Sequence, residues 1–403
     1  MSTLSLKPYS FARRLPAIAP MGAAQAAKKR QVIPLSFGSP HSDTFPYKPL
    51  IGAATDAIWT HGRDSLQYGG AGGPVIVLDW VARRSALRSI HVDPSQVLMT
   101  YGSQQALDYV ARALLDPGDH AWLEGPTYFG AVSTFRTAEA ILTSFPIDED
   151  GLIVEEVERA LEEAERLGKP LPKLFYTMPN FHNPGGISLS LERRQRLAEL
   201  AYRYNFFILE DDAYTELSYT GQSLPAIYSF APERTIYLST FSKIIAPGIR
   251  LGWAIASQDT IARVNTFFQG SKASVFSQEI VAQLLTRLPF DEHLASLNKL
   301  YRDNRDAMVD ALKISFGDDV TFSIPEGGFF VWLSFPEGID TSEFVKDAEE
   351  RGVSFIDGKQ FFINGGGARH ARLSFSYCSE EQIREGVALL AQSYYSYLDN
   401  RRR

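Results

Sequence analysis

Lys243 is poorly placed for an ordinary surface charge. It follows the apolar run Thr235–Leu238 and the hydroxyls of Ser239, Thr240 and Ser242, and it precedes the turn Pro247-Gly248-x-Arg250. An amine in such a setting forms Schiff bases once its surroundings lower its unperturbed pKa of about 10.4. Taken alone, a solvated lysine is an equal alternative. Asp211 closes a second apolar run, Phe206–Leu209, within Glu210-Asp211-Asp212-x-Tyr214. Its carboxylate therefore enters a low-dielectric cleft, where an unpaired charge is costly. A cationic partner is expected there, either a protonated pyridine nitrogen or a structural arginine. Gly102-Ser103-Gln104 follows Val97–Tyr101 and opens a helix, whose free N–H groups and dipole favour a phosphate. A plain serine N-cap explains the same residues. Asn180, His182 and Asn183 follow Lys173–Thr177 and offer two amides and an imidazole. Near the C-terminus, alternation puts Arg372, Ser374 and Ser376 on one strand face and Ala371, Leu373 and Phe375 on the other. The forked guanidinium of Arg372 suits bidentate capture of a carboxylate, or a structural salt bridge.

In doubly wound sheets, ligands sit beyond the carboxyl ends of the strands. The elements needed to place these residues there are legible. Val97–Tyr101, Ala121–Leu123, Ala140–Leu142, Lys173–Thr177, Phe206–Leu209 and Thr235–Leu238 are short apolar runs. They alternate with amphipathic segments such as the one carrying Ala106, Leu107, Val110 and Leu114, and the one around Leu191–Tyr202. The pattern predicts an α/β fold, a mainly parallel sheet flanked by helices. After about residue 290 the texture changes. A long polar helix around His293–Ile314, strands at Gly328–Leu333 and Arg372–Ser376, and a helix at Ser342–Arg351 predict a small α+β unit. The expected division is an N-terminal arm over 1–30, a part of the small domain over 31–55, a large domain over 56–290 and the rest of the small domain over 291–403.

Composition narrows the function classes. Forty Lys+Arg against 47 Asp+Glu give a net charge of −7, which speaks against a general nucleic-acid binder. The single cysteine, Cys378, excludes an internal disulfide and a cysteine-rich zinc site, and no metal is expected. No apolar run reaches the length of a membrane span. A cytoplasmic enzyme is the expectation. The first 42 residues hold no Asp or Glu but six bases, which suits an arm folded over a partner subunit or an organellar transit peptide. There is no Gly-x-Ser-x-Gly, His-Glu-x-x-His or Rossmann fingerprint. Gly352 to Lys359 is one residue too long for a P-loop, and Gly69–Pro74 reads as a flexible turn.

The ordered set Gly102-Ser103-Gln104, Asn183-Pro184, Asp211-x-x-Tyr214 and Ser242-Lys243-x-x-x-Pro247-Gly248-x-Arg250 resembles the pyridoxal-phosphate-dependent class I/II aminotransferases of fold type I. The likeness is to the aminoadipate, kynurenine and aromatic aminotransferase-like subgroup, and it spans roughly residues 31–395. The resemblance implies a homodimer acting on an amino acid and a 2-oxo acid, with pyridoxal 5'-phosphate as cofactor. It implies that Lys243 carries the cofactor as a Schiff base and later moves the Cα proton. Asp211 would keep the pyridine nitrogen protonated, Asn183 and Tyr214 would bond the ring oxygen, and Tyr128 would stack on the ring. Gly102, Ser103, Gln104, Thr240, Ser242 and Arg250 would hold the phosphate, joined by Tyr68 from across the dimer. Arg372, with Asn183 and Gly38, would bind the substrate.

Departures are visible too: Gly125-Pro126 replaces the usual acid-Pro after Glu124, and the segment after Tyr68 is richer in glycine than usual. Asn183-Pro184-Gly185-Gly186 stands where the family usually has Asn-Pro-Thr-Gly, and Asp79 stands where a basic residue is common. Phe129, Phe181, Phe241, Phe276, Phe329 and Phe330 are candidates for an apolar side-chain pocket, although such residues are more often ordinary core. They suggest aromatic or bulky apolar donors, with 2-oxoglutarate as an acceptor. Two other readings remain open at this stage: a lyase, decarboxylase or synthase using the same cofactor, and a non-catalytic sensor related to helix-turn-helix regulators.

Overall fold

Runs such as Val97–Thr100, Leu174–Thr177 and Thr235–Thr240 are buried along their whole length, as strands covered on both faces must be. The computed structural model describes residues 10–15, 32–69, 72–268 and 272–402, so most of the expected arm over 1–30 lies outside the described residues. In chain order, β1 (Ile33–Pro34) comes first, followed by β2 (Val97–Thr100), β3 (His120–Gly125), β4 (Ile141–Asp148) and β5 (Gly151–Leu152). Then come β6 (Leu174–Thr177), β7 (Phe207–Asp211), β8 (Thr235–Thr240) and β9 (Gly252–Ile255). Strands β2 to β9 form one sheet in the order β2-β9-β8-β7-β6-β3-β4-β5. Its centre, from β4 to β8, is parallel. The sequence pattern did not include β9, a four-residue strand directly after the Pro247–Arg250 turn, which runs antiparallel to both β2 and β8.

Alternation along the strands divides the core. Phe175 and Ile208 turn to one side, where they pack with Val157, Leu161 and Leu197 from the helices Val154–Leu167 and Leu191–Tyr204. Leu123, Tyr176 and Leu209 turn to the other, where they pack with Leu107, Ala131 and Phe135 from the helices Ser103–Leu114 and Phe129–Thr137. With helices on both faces, the carboxyl edge of the parallel strands is the part of the sheet left free to meet a ligand.

The remaining strands are β10 (Thr321–Phe322), β11 (Phe330–Ser334), β12 (Val353–Ser354), β13 (Ile356–Asp357) and β14 (His370–Ser374). An antiparallel sheet of order β10-β11-β14-β13 is backed by the long helices Phe290–Phe316 and Glu380–Arg402. Strand β1 pairs parallel with β12, so the chain's early segment does return to this part of the molecule. The expected boundary at residue 55 needs correction, because it falls inside a continuous helix, Tyr47–Trp59. That helix packs on Val275–Leu285 of the large part, so the crossover lies before Tyr47.

Candidate active site

The carboxyl ends of β2, β6, β7 and β8 converge on a cavity of about 430 Å³. Gly38, Ser103, Gln104, Tyr128, Asn183, Asp211, Tyr214, Thr240, Ser242, Lys243, Arg250 and Arg372 all line it, residues drawn from both ends of the chain.

At the β2 end, the N-cap of the helix Ser103–Leu114 is Gly102, with no side-chain cap, so the expected serine cap is displaced by one residue. Glycine is needed there. Its φ is +77°, and a Cβ would lie 3.0 Å from Arg250 Nη2. The first N–H groups of this helix have no intrahelical partner. Beside them stand Arg250 and the Thr240 and Ser242 hydroxyls, which bond each other at 2.9 Å. A helix N-terminus, a guanidinium and two hydroxyls together suit a phosphate group.

Strand β7 ends on Glu210 and Asp211, and Asp212 follows directly, so three carboxylates stand in a row. Asp211 faces the cavity, accepts the Tyr176 hydroxyl at 2.9 Å on Oδ2, and leaves Oδ1 buried without a partner. Burial raises its pKa to about 6, against the opposing pull of Tyr176 and Lys243. Lys243 Nζ donates to the Gly38 carbonyl at 3.1 Å and lies 5.6 Å from the Tyr214 ring centre. Burial, with Arg372 nearby, lowers its pKa to about 8. Gly38 has no room for a side chain, since a Cβ would lie 2.8 Å from Phe330.

Arg372 projects from β14, stacks 4.2 Å over Phe330, and donates to Asn183 Oδ1 at 2.9 Å and the Ser36 carbonyl at 2.8 Å. It makes no ion pair with any carboxylate among the described residues, and its buried Nε lacks a partner. The structural salt bridge weighed from sequence is therefore absent from its described contacts. Burial lowers its pKa to about 10. The loop carrying Asn183 is anchored from behind. His182 Nδ1 accepts the Gly185 N–H at 3.1 Å, and Nε2 lies 3.1 Å from the buried Glu124 carboxylate. Tyr128 donates to Gln104 Oε1 at 3.3 Å, and its ring leaves no space for a Cβ at Gly130.

Tyr68 does not join this cluster within one chain. It is 98% exposed and lines a separate cleft with Gly73, Met99 and Gln278. Of the six phenylalanines, Phe129 and Phe330 line the cavity. Phe241 packs on Trp80 and Trp253, Phe329 packs on Tyr301, and Phe181 is buried in the core. Phe276 lines another cleft near Tyr68. Tyr176, Met178 and Phe361 reach the site or its wall but carry no sequence signal. Their roles follow from which strands are neighbours.

An orphaned buried carboxylate oxygen, a low-pKa amine and an anion cradle fit the three ends of pyridoxal phosphate: ring nitrogen, aldehyde and phosphate. The fold and the site thus define a pyridoxal-phosphate enzyme of fold type I. Residues 42–390 match the family "Aminotransferase class I and II", and the chain belongs to it. It is 38% identical over 370 residues to aromatic-amino-acid aminotransferase 1 of Thermococcus litoralis, covering 90% of this chain and 88% of that one. Among solved structures, the multiple substrate aminotransferase from Thermococcus profundus superposes with a TM-score of 0.90 at 34% identity, over 97% and 98% of the two chains. The α-aminoadipate aminotransferase LysN from Thermus thermophilus, solved with N-(5'-phosphopyridoxyl)-L-leucine, gives 0.85 at 32% identity, over 92% and 93%. The chain is an aminotransferase using pyridoxal phosphate to move an amino group between an amino acid and a 2-oxo acid.

Proposed function

We propose that this enzyme takes aromatic or bulky apolar L-amino acids as donors, with 2-oxoglutarate the first acceptor to test, in two alternating half-reactions. The observation that carries this reading is the cavity wall. Tyr128, Phe129, Met178, Tyr214 and Phe330 supply apolar surface, and the cations among the described lining residues are Lys243, Arg250 and Arg372. Each of those three has its own task, at the aldehyde, the phosphate and the substrate carboxylate in turn. None of these is left over for a second carboxylate, so aspartate is disfavoured as a donor and the far carboxylate of 2-oxoglutarate would be met by uncharged donors or by the partner subunit.

Pyridoxal phosphate, when bound, supplies an aldehyde that condenses with amines and a ring that takes up the electrons of the Cα–H bond. Lys243 would hold the aldehyde, and its amine, which burial already disfavours in its charged form, would be the base for the Cα proton. Asp211, with its unmet Oδ1, would pair with the ring nitrogen. Asn183 has its Oδ1 engaged by Arg372, so its N–H₂ is the end that serves the ring oxygen, together with the Tyr214 hydroxyl. Gly102, Ser103, Gln104, Thr240, Ser242 and Arg250 would hold the phosphate, and Tyr128 would cover the ring. Arg372 clamps the substrate carboxylate, while the Gly38 carbonyl beside Lys243 lines the entry.

The molecule works as a homodimer in this reading. Tyr47, Ile51, Ile58 and Trp59 expose apolar surface along one helix, continuing through Leu66 and Val75 to Tyr68, which then serves the partner's phosphate site. Residues 32–46 and 291–402 form the smaller unit bearing Arg372. The buried, unpaired Cys378 suits the cytoplasm.

A panel of donors assayed against 2-oxoglutarate tests the substrate assignment. Phenylalanine, tyrosine or leucine should exceed aspartate in kcat/KM by at least about tenfold. Aspartate as the best donor would overturn it.

A further inference from the structure

Tyr176 lies on β6, paired in register with Leu209 of β7. Alternation carries Asp211, two residues beyond Leu209, to the same face, one step nearer the carboxyl edge. The tyrosine is fully buried, with its ring edge-on to Phe135 at 5.8 Å, and its hydroxyl donates to Asp211 Oδ2 at 2.9 Å. The other carboxylate oxygen is the unpartnered one. The hydroxyl thus addresses the back of the carboxylate whose front faces the cavity.

We propose that Tyr176 is a positioning residue: by donating to Asp211 Oδ2 it holds that carboxylate ionised, and so keeps the proton shared with the cofactor on the ring nitrogen. The inference rests on the reading that Asp211 Oδ1 receives that nitrogen. In such a bridge, the proton resides on the weaker acid. Burial and the neighbouring Asp212 favour the neutral carboxyl, whereas Tyr176 and Lys243 favour the carboxylate. Lys243 gives up its free ammonium whenever it holds the aldehyde. Tyr176 does not titrate in the working range, because burial and the nearby Asp211, Tyr128 and Glu124 raise its pKa well above that of an ordinary phenol. Its donation is therefore constant through both half-reactions. Without it, the proton moves towards Asp211, and the ring becomes a poorer acceptor of electrons.

The test uses holoenzyme loaded with pyridoxal phosphate carrying ¹⁵N in the ring, with the nitrogen resonance read at one fixed pH. Wild type should resonate near the pyridinium limit. Tyr176→Phe should move the signal towards neutral pyridine, and 4-aminophenylalanine at position 176, a weaker donor of the same shape, should move it part of the way. The Phe variant should lose about tenfold in kcat, the weight of one hydrogen bond to a charged group, with KM changed less than about twofold. A wild-type resonance at the neutral limit overturns the Asp211 reading itself. A pyridinium signal in wild type that neither variant moves overturns the role of Tyr176 alone. If the Phe variant does not take up cofactor, the 4-aminophenylalanine protein decides the matter in the same way.

Discussion

Glu210, Asp211 and Asp212 are consecutive and all buried, and burial raises the pKa of each, yet they differ in their hydrogen-bond partners. Glu210 accepts two backbone N–H groups, from Ile227 and Tyr228, each at 2.9 Å. Asp212 accepts from the Asn180 amide at 2.9 Å and the Tyr237 hydroxyl at 3.0 Å, with the cations of Arg88 and Arg194 nearby. Asp211, between them, turns to the cavity with one oxygen unmet. Burying a carboxylate is tolerable when its lone pairs are occupied and costly when they are not. The paired side of the sheet spends its charges on holding the chain together. The cavity side keeps Asp211, Lys243 and Arg372 incompletely partnered, which leaves them available to a ligand.

The largest expected effect concerns the cavity side. Lys243→Ala should lower transamination by at least about 10⁴-fold, since in the proposed mechanism it removes both the covalent anchor and the base. The cofactor-free variant should melt no lower than wild type, because the residue removed is an amine that burial disfavours in its charged form. Steady-state assays and thermal melts of the same preparations check both parts, and substantial turnover would sink the role of Lys243.

Arg194 is the converse case. Fully buried, it donates to the carbonyls of Leu189 (2.9 Å), Pro179 (2.9 Å) and Pro225 (3.2 Å) and to Asn180 Oδ1 (2.7 Å). Arg194→Met leaves these acceptors unmet and takes one of the two nearby cations from Asp212, leaving it Arg88 alone. Stability should fall by about 3–5 kcal/mol. The protein that remains folded should keep kcat within about threefold of wild type, because the guanidinium touches nothing in the cavity. A large loss of kcat with an unchanged denaturation midpoint would erase the distinction between the two sides.

The same contrast explains what could be read from the sequence. Lys243, Arg250 and the Gly102–Gln104 turn announced themselves because each follows a clear apolar run and is flanked by residues that surface charges do not need. The mainly parallel sheet followed from the alternation of those runs with helices. Tyr176 was invisible, since its meaning depends on β6 lying beside β7 and on the register that aligns it with Leu209. Strand β9 was missed because four residues after a tight turn carry no period. Nor could the sequence sort the phenylalanines: Phe330 faces the cavity while Phe329, one residue earlier, packs against Tyr301. The helix Tyr47–Trp59 blurred the expected division because its interior carries no break at residue 55.

Asp211→Asn tests the cost of the unmet oxygen. In the cofactor-free protein the folded pKa, about 6, stands above the unfolded value near 3.8. The group therefore contributes stability below about pH 4 and loses it as pH rises through 6. At pH 8 the ionised carboxylate is a net burden, and the asparagine variant should be more stable than wild type by about 1–2 kcal/mol. At pH 4 that advantage should vanish. Activity should fall about 100-fold if, as proposed, Asp211 is the partner that keeps the ring nitrogen's proton. Chemical denaturation at the two pH values reads the first effect, and an advantage of equal size at both would mean that Asp211 is not the titrating group.

The smallest effect expected here comes from Asp212→Asn, on the paired side. An asparagine there retains one acceptor oxygen for the Asn180 amide or the Tyr237 hydroxyl but turns an N–H₂ towards the other. The variant should lose about 1–3 kcal/mol of stability. Removing the charge also takes away one influence that pushes Asp211 towards its neutral form, so Asp211 should titrate lower than in wild type. Catalysis should then change by less than about threefold, since the cavity-side partners are untouched. If kcat instead falls as far as it does in Asp211→Asn, the two carboxylates act as one unit through the sheet, and the unmet oxygen is not what sets Asp211 apart.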